Sequence, residues 1–427
     1  MKMSKYNIIT EAINKHDFIV YNILNKRLIR IPNKGLINQQ WFKEKYMDFF
    51  DDGSENIKKR YLFDSMKYQT TRLNITLMMT MSCNFRCIYC FENDVRMHDF
   101  GVLDTEFVIN WIINMLKKYK IKQLDLCFHG GEPLLEFDKI VLIANNLKKY
   151  CIINNLSYLF TIVSNGFLLT NNRSSVLKRA GISIIQITLD GSKEAHDKRR
   201  FLKNGLGTFE TIVNNIIQSS DLKIYINVVY DLSNYKEVFN LIDYLNELKL
   251  HNTIGMIMIN ATKPILKDKR LNEWRSPEDF QAKTKIALLD YILEKGFKIP
   301  FELNYQMCTI KQKNSFIYLP NKSIYKCISG AGMKEFFICN LKSETDDPVE
   351  KQYKFLYNEL NEKCDDCKYM PICNGSCYYE YNLYKCDSNI ICKKKYLDIY
   401  LPLYLNLMEK YNFSNEKMVF NNENEMY

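Results

Sequence analysis

The chain has no apolar run approaching the length needed to cross a bilayer. Its N-terminal stretch, MKMSKYNIITEAINKHDF, turns polar too early to hold the apolar core of a secretion signal. These two absences give the expectation of a cytoplasmic protein with no membrane partner. A long basic arm is also missing. The formal charge is +10, but its basic clusters (Lys58 to Arg60, Lys267 to Arg270, Lys393 to Lys395) are scattered. A solvated basic surface accounts for them, and nucleic acid is not expected as a partner. With 47% hydrophobic and 25% charged residues over 427 positions, disorder is excluded and two or three domains can form.

What the chain does have is cysteine, 14 in all. In a reducing compartment that load argues against disulfides and for metal or iron–sulfur ligation. Three lie between positions 83 and 90, one each at 127 and 151, and nine from 308 onward. Two thiol-rich regions, one early and one late, organise the protein.

Residues 1–70 read as a small separate α+β unit. Phe18 to Ile23 and Leu28 to Ile31 are strand-like and predict a hairpin. Leu36 to Phe50 has helical spacing, ended by Asp51-Asp-Gly-Ser54. From Leu73 the texture alternates. Strand-like runs at 73–80, 121–128, 156–164, 182–189, 224–230 and 254–260 are separated by helix-length segments at 104–118, 137–150, 171–180, 207–219 and 235–248. A last helix is expected over 277–295. Six such repeats with short connections predict an α/β fold with a parallel sheet. Roughly 190 residues is short for a complete eight-fold barrel.

Cys83, Cys87 and Cys90 follow the first of these strands and so fall at the carboxyl edge of the sheet, where such folds keep their chemistry. Three thiolates on a cubane leave one iron open. The alternative is a zinc site completed by Cys127 or a histidine. Loops at successive strand ends carry groups suited to a small molecule. Gly130 and Gly131 allow close backbone approach, and Glu132 is a carboxylate suited to an ammonium. Ser164-Asn165-Gly166 and Asp190-Gly191-Ser192 follow the third and fourth strands, and Arg199 and Arg200 lie close behind.

The CxxxCxxC triad, HGGEP at 129–133 and ITLDG at 187–191 together resemble the radical S-adenosylmethionine superfamily over about residues 73–300. The resemblance implies a partial (β/α)6 TIM-like barrel in which the triad holds a [4Fe–4S] cluster, with S-adenosylmethionine on its open iron. It implies that Gly130, Gly131 and Glu132 bind the methionine amino group and that Tyr89 packs near adenine. Thr188 matches a ribose-contacting position, and Arg200 matches a residue near the cofactor carboxylate. Ser164, Asn165 and Asp190 complete the candidate cofactor site. No catalytic residue is assigned.

The late cysteines, C-x2-C-x5-C-x3-C at Cys364, Cys367, Cys373 and Cys377, resemble the SPASM extension of peptide- and protein-modifying radical enzymes. By that resemblance two auxiliary [4Fe–4S] clusters are expected in a cysteine-rich C-terminal domain over 301–427, after a radical core over 71–300. Cys327, Cys339 and Cys377 match ligands of the first. Cys364, Cys367 and Cys373 with Cys392 or Cys386 match those of the second. Lys334 stands where the family usually has glycine, and the Cys327–Cys339 interval is short, so Cys308 is a further candidate for the first cluster. Cys127 and Cys151 are read as buried small hydrophobes.

The substrate implied is a ribosomally made precursor peptide, with an external one-electron donor such as flavodoxin or ferredoxin. The leading expectation is a crosslink, thioether or carbon–carbon. The alternative is the anaerobic sulfatase-maturing reaction, which makes formylglycine from Cys or Ser in a sulfatase. That branch places a basic Asp after the second upstream auxiliary cysteine, where this chain has Asn340. Residues 1–70 are expected either to hold a leader peptide by strand addition or to cap the barrel edge. A non-catalytic iron–sulfur electron carrier or scaffold is the reading from a different class.

Overall fold

The computed structural model describes residues 2–92, 99–219, 221–262, 276–305, 307–356, 364–375, 377–384, 392–411 and 418–419. Cys386 lies outside them.

The chain opens with β1 (Lys2–Met3), β2 (Asn7–Glu11), β3 (Phe18–Asn22), β4 (Arg27–Ile31) and β5 (Phe50–Asp51). The expected hairpin is β3 with β4, and β2 adds to it as a third antiparallel strand. The helix expected over 36–50 is broken into a 3-10 turn Lys34–Asn38, a helix Gln40–Lys45 and a second turn Met47–Phe49. Its apolar residues Ile37, Phe42 and Phe49 instead join Val20, Ile31 and Phe50 in a small core. The opposite face of the sheet contributes Ile8, Ile19 and Tyr21 to the main core. Tyr305 donates its hydroxyl to Ile23 O, and Glu409 pairs with Arg30 at 2.8 Å. The unit is thus packed against the C-terminal helix Lys394–Lys410 and the segment at Tyr305.

The six expected strands all form: β6 (Arg72–Met78), β7 (Gln123–His129), β8 (Ser157–Ser164), β9 (Ile182–Thr188), β10 (Lys223–Tyr230) and β11 (Ile254–Ala261). They pair in parallel in chain order, β6 to β11, as a partial barrel. Side chains alternate across them. Leu73, Ile75 and Leu77 of β6, with Leu124, Leu126 and Phe128 of β7, turn to the helices. Leu159, Ile184, Tyr225 and Met256 form a separate cluster on the inner face. Helix starts follow local chemistry: Asp104 and Thr170 each accept an amide hydrogen bond from the third residue onward, from Phe107 and Arg173.

After β12 (Ile299–Pro300) come β13 (Ser315–Tyr318), β14 (Ser323–Tyr325) and β15 (Phe337–Asn340), which sequence reading did not anticipate. β13 joins the free edge of β6 in parallel, and β14 and β15 continue the sheet antiparallel, giving nine strands in one sheet. Cys339 is thereby carried on β15, and Cys327 just after β14, in an extension of the same sheet whose β6 leads into the early cysteine loop. Among the described residues, no helix is long and apolar enough to cross a membrane.

Candidate functional site

The chain leaving β6 forms the loop that carries Cys83, Cys87 and Cys90. Backbone hydrogen bonds fix it on two sides. Gly131 and Glu132 donate to Thr80 O and Ser82 O at 2.9 Å, while Arg86 and Ile88 donate to Phe201 O and Arg199 O. The paired glycines do allow a close approach, but to this loop: a Cβ on Gly131 would lie 2.6 Å from the Ser82 carbonyl carbon and 2.7 Å from Met81 O. Cys83 and Cys87 are buried and Cys90 half-buried. Phe85 N and Asn165 Nδ2 point at the Cys83 sulfur at 3.4 and 3.9 Å. Donors aimed at sulfur favour a thiolate, which fits the triad to iron.

Glu132 is fully buried. Its carboxylate accepts from Leu134 N at 2.9 Å, Ser164 Oγ at 2.8 Å and Asn165 N at 2.7 Å. It thereby ties the end of β7 to the end of β8. Burial pushes its pKa up, opposed by those three donors and by Arg200. A carboxylate offers about four acceptor positions, so roughly one is left for an ammonium. Asn165 reaches Asn84 Oδ1 at 2.8 Å as well as Cys83.

On the other side of the triad, Tyr89 donates to Asp190, and Arg200 donates to the Tyr89 oxygen at 2.8 Å. Asp190 also accepts from Val229 N. Burial pushes Asp190 up, against the pull of Arg200 and Arg199. His196 serves as a latch. Its Nδ1 accepts from Asp190 N, so its Nε2 donates to Thr208 Oγ1, whose hydroxyl donates to Arg200 O. Burial, with the Arg200 and Arg199 charges, holds His196 well below the usual imidazole range and so neutral. Asp197 accepts from Thr208 N and Phe209 N. The HDxxR segment therefore places Arg200, and the Cys87 thiol is among the charges acting on that guanidinium.

Arg199, noted in the sequence beside Arg200, turns to a different partner, and Asp231, Asn227 and Asn260 were not singled out. Arg199 is buried and donates to Asp231 Oδ2 at 2.9 Å and Ser233 Oγ at 3.1 Å, with its guanidinium 4.9 Å from the Tyr89 ring. Burial alone would raise Asp231; Arg199 and the Ser233 and Thr262 hydroxyls bring it below the usual carboxylate range. Thr188 accepts from Asn227 at 3.4 Å, and Asn260 donates to Asn227 at 2.7 Å, a polar line across β9, β10 and β11. Single polar residues inside IYINVVY and IGMIMINA were the available signal. His129 Nδ1 and buried Glu92 face each other at 3.6 Å.

Cys127 is buried in β7. Cys151 lies inside the helix Phe137–Ile153, which runs further than expected, and burial pushes its thiol up to about 11. Both fit the reading as small hydrophobes.

Burial raises the thiols of Cys364, Cys327 and Cys339. Neighbouring thiols add to it at Cys364 (Cys373, Cys367 and Cys392) and at Cys327 (Cys308 and Cys377), while at Cys339 Lys351 opposes it and Asp346 and Asp347 add to it. Lys334, where the resemblance puts glycine, lies in a 3-10 turn, and Gly332 two residues earlier is left-handed at φ 85°. Among the described residues, no three His, Cys, Asp or Glu side chains close tightly enough for a single metal ion.

Residues 77–262 match the model of the Radical SAM superfamily. The chain is 24% identical to the cysteine-type anaerobic sulfatase-maturating enzyme of Clostridium novyi over 69% of its own length and 85% of that protein. It is also 24% identical to the radical SAM cyclopropyl synthase TigE of Paramaledivibacter caminithermalis, over 77% of this chain and 67% of that one. Among solved structures, anSMEcpe with bound AdoMet shares the fold with a TM-score of 0.64 at 16% identity, covering 81% of this chain and 100% of that chain.

Proposed function

Because the chain belongs to the radical SAM superfamily, we propose that it is an enzyme which uses S-adenosylmethionine to modify a peptide or protein through a carbon-centred radical. The observation that carries this reading is the convergence of Cys83, Cys87 and Cys90 with Glu132, Asn165, Tyr89, Asp190 and Arg200 at one edge of the sheet. An electron carrier or scaffold has no use for a buried carboxylate and a buried guanidinium beside its thiols.

When bound, a reduced [4Fe–4S] cluster and S-adenosylmethionine supply an electron, break the sulfonium S–C5′ bond and yield a 5′-deoxyadenosyl radical that abstracts a hydrogen atom. The chain's residues prepare for that. Glu132 presents its remaining acceptor position to the methionine ammonium, while Ser164 and Asn165 hold the carboxylate still. Arg200 faces the methionine carboxylate. Tyr89, pinned between Asp190 and Arg200, forms a wall for adenine, and Thr188 with Asn227 faces the ribose. The cysteines between Cys308 and Cys392 would hold two further clusters, which would supply a route for the second electron of a net oxidation to leave for an external acceptor.

Two reactions fit this machinery. Oxidation of a Cys or Ser to formylglycine in a sulfatase is favoured by the likeness to the Clostridium novyi enzyme over most of its length. Crosslinking of a precursor peptide, the leading expectation from sequence, keeps one specific support: Asn340 ends β15 as an exposed amide and cannot take a proton. Anaerobic incubation with dithionite, S-adenosylmethionine and a Cys-containing sulfatase peptide tests the proposal. The expected products are 5′-deoxyadenosine and a peptide trapped by hydrazide reagents. A peptide two hydrogens lighter that hydrazide does not trap would shift the reaction to crosslinking. Absence of 5′-deoxyadenosine with intact clusters would overturn the enzyme reading.

A further inference from the structure

The loop that carries the early thiols is one side of a two-stranded ribbon. Arg86 N donates to Phe201 O at 2.8 Å and Ile88 N to Arg199 O at 3.0 Å, while Lys203 N donates to Asn84 O at 3.0 Å. Phe85 faces Leu202 across an antiparallel bridge. Side chains alternate along extended backbone. Cys83, Phe85 and Cys87 are accordingly buried, while Arg86 and Ile88 are exposed. Two thiols of the triad thus lie one layer of backbone beneath the surface.

Beside the ribbon lies an open groove of about 340 Å³, lined by Cys83, Asn84, Leu135, Leu202, Lys203 and Asn204. None of the candidate S-adenosylmethionine residues is among them, so the groove is separate from that site. Its surroundings are apolar and cationic. Ile88, Leu135 and Leu206 are 37%, 44% and 61% exposed. Leu206 belongs to the turn that carries Lys203, closed by Leu202 N donating to Leu206 O at 2.9 Å. Arg86 folds its guanidinium onto Phe85 O at 2.9 Å. Arg173 is anchored next to Leu135 by donating to Leu134 O at 3.3 Å, with its guanidinium 4.8 Å from the Phe137 ring. Among the described residues, no carboxylate pairs with Arg86, Arg173 or Lys203. Glu136, the acid beside Leu135 in the chain, is taken by Lys139 at 2.7 Å. Exposed apolar side chains among cations without counter-charges mark a surface made for an acidic partner.

We propose that this surface docks a small acidic flavoprotein, with the apolar edge of its flavin on Ile88, Leu135 and Leu206 and its carboxylates on Arg86, Arg173 and Lys203. The inference rests on reading Cys83, Cys87 and Cys90 as cluster ligands, but not on the bond made in the substrate. Electron transfer falls off steeply with distance, so a donor gains by approaching where these thiols lie closest to solvent. In that encounter the anionic flavin hydroquinone loses one electron to the triad's cluster and becomes the neutral semiquinone, with no proton moved. The exposed leucines favour a flavin, whose dimethylbenzene edge is apolar, over a ferredoxin, which shares only the acidic charge. Such redox encounters are small and weak, and opposite charges supply their speed.

The test is calorimetric binding of flavodoxin to the cluster-loaded chain, with anaerobic 5′-deoxyadenosine formation driven either by reduced flavodoxin or by dithionite. Lys203→Glu combined with Leu206→Asp is expected to weaken flavodoxin binding at least about 10-fold and to slow the flavodoxin-driven reaction by a similar factor. Iron content and the dithionite-driven rate should stay at the level of the unaltered chain. Affinity of the unaltered chain should fall as salt rises from about 0.05 to about 0.3 M. Unchanged affinity in the double variant would overturn the proposal. Lys59→Glu is the control near the late cysteines, where its ammonium donates to Asp365 O. It should change neither affinity nor rate, and a loss there alone would move the point of entry to the late cysteines and overturn the proposal. A ferredoxin titrated in place of flavodoxin should bind at least about 10-fold more weakly; equal or tighter binding would overturn the choice of a flavoprotein. Absence of 5′-deoxyadenosine with dithionite in the unaltered chain would instead count against the enzyme reading itself.

Discussion

Replacing Gly131 with alanine should cost the enzyme its early cluster. The φ of Gly131 lies outside the left-handed region, so alanine brings no backbone strain of its own and the effect is purely steric. Its Cβ would sit 2.6 Å from the Ser82 carbonyl carbon and 2.7 Å from Met81 O, and nearer still to Ser82 O. Ordinary contacts between heavy atoms are near 3.5 Å, so something must move by about 1 Å. The obstacle is backbone, the segment leading directly into Cys83, so no flexible side chain can yield in its place. Overpacking of this kind costs roughly 1–3 kcal/mol. A 1 Å misplacement in a reacting site costs about 100-fold in rate. The variant should therefore form 5′-deoxyadenosine about 100-fold more slowly and lose up to about four irons per chain after anaerobic reconstitution. Gly53→Ala is the control. It meets nothing within 4 Å but has a φ of 85°, so it pays about 1–2 kcal/mol of strain with its iron intact. A Gly131→Ala protein with full iron and unchanged turnover would refute the argument that these glycines exist to seat the cysteine loop.

Three further outcomes follow from the geometry. Glu132→Gln keeps two of the three donors satisfied but sets an amide NH2 against Asn165 N or its neighbours. Calorimetric affinity for S-adenosylmethionine should fall about 10- to 100-fold, the equivalent of roughly 1.5–3 kcal/mol; an unchanged affinity would remove Glu132 from the ammonium site. Arg199→Met leaves the Asp231 carboxylate buried beside Ser233 and Thr262 without its cation. It should destabilise the fold by about 3–5 kcal/mol in urea unfolding, and a loss under half of that would show that Asp231 is carried by its hydroxyl partners. Asp347 lies below the usual carboxylate range because Lys118, at 2.6 Å, and Tyr119 outweigh its burial. A depressed carboxylate stabilises the fold above its unfolded value, near pH 4, and that stability is lost as pH falls through the lower folded value. Between pH 5 and pH 3 the urea midpoint should drop further in the unaltered chain than in Asp347→Asn; parallel curves would contradict this.

Much of the core was legible because its parallel strands are short continuous apolar runs bounded by turns. Each of the six formed within a few residues of its expected limits. The cysteine triad and the Glu132, Asn165, Asp190 and Arg200 loops were legible for a related reason, since they fall at the ends of those runs. What stayed hidden depends on tertiary partners. The apolar spacing of 36–50 suits one helix, but Ile37, Phe42 and Phe49 reach their core only when the helix is broken. β13 to β15 are too short to announce themselves, and β13 exists because the edge of β6 is there to pair with. The paired glycines suggested close backbone approach, and that the cysteine loop is one partner of that approach is a tertiary contact the sequence does not carry.

The pairing of β13 with β6 also bears on how the protein is made. β6 is the first strand of the sheet to leave the ribosome, yet the partner for one of its edges is synthesised about 240 residues later. Until then that edge is an exposed row of unsatisfied amides and carbonyls, able to recruit strands from other chains. Recombinant expression should accordingly reward slow synthesis and chaperone supply, and truncation before residue 315 should yield inclusion bodies in place of a soluble core.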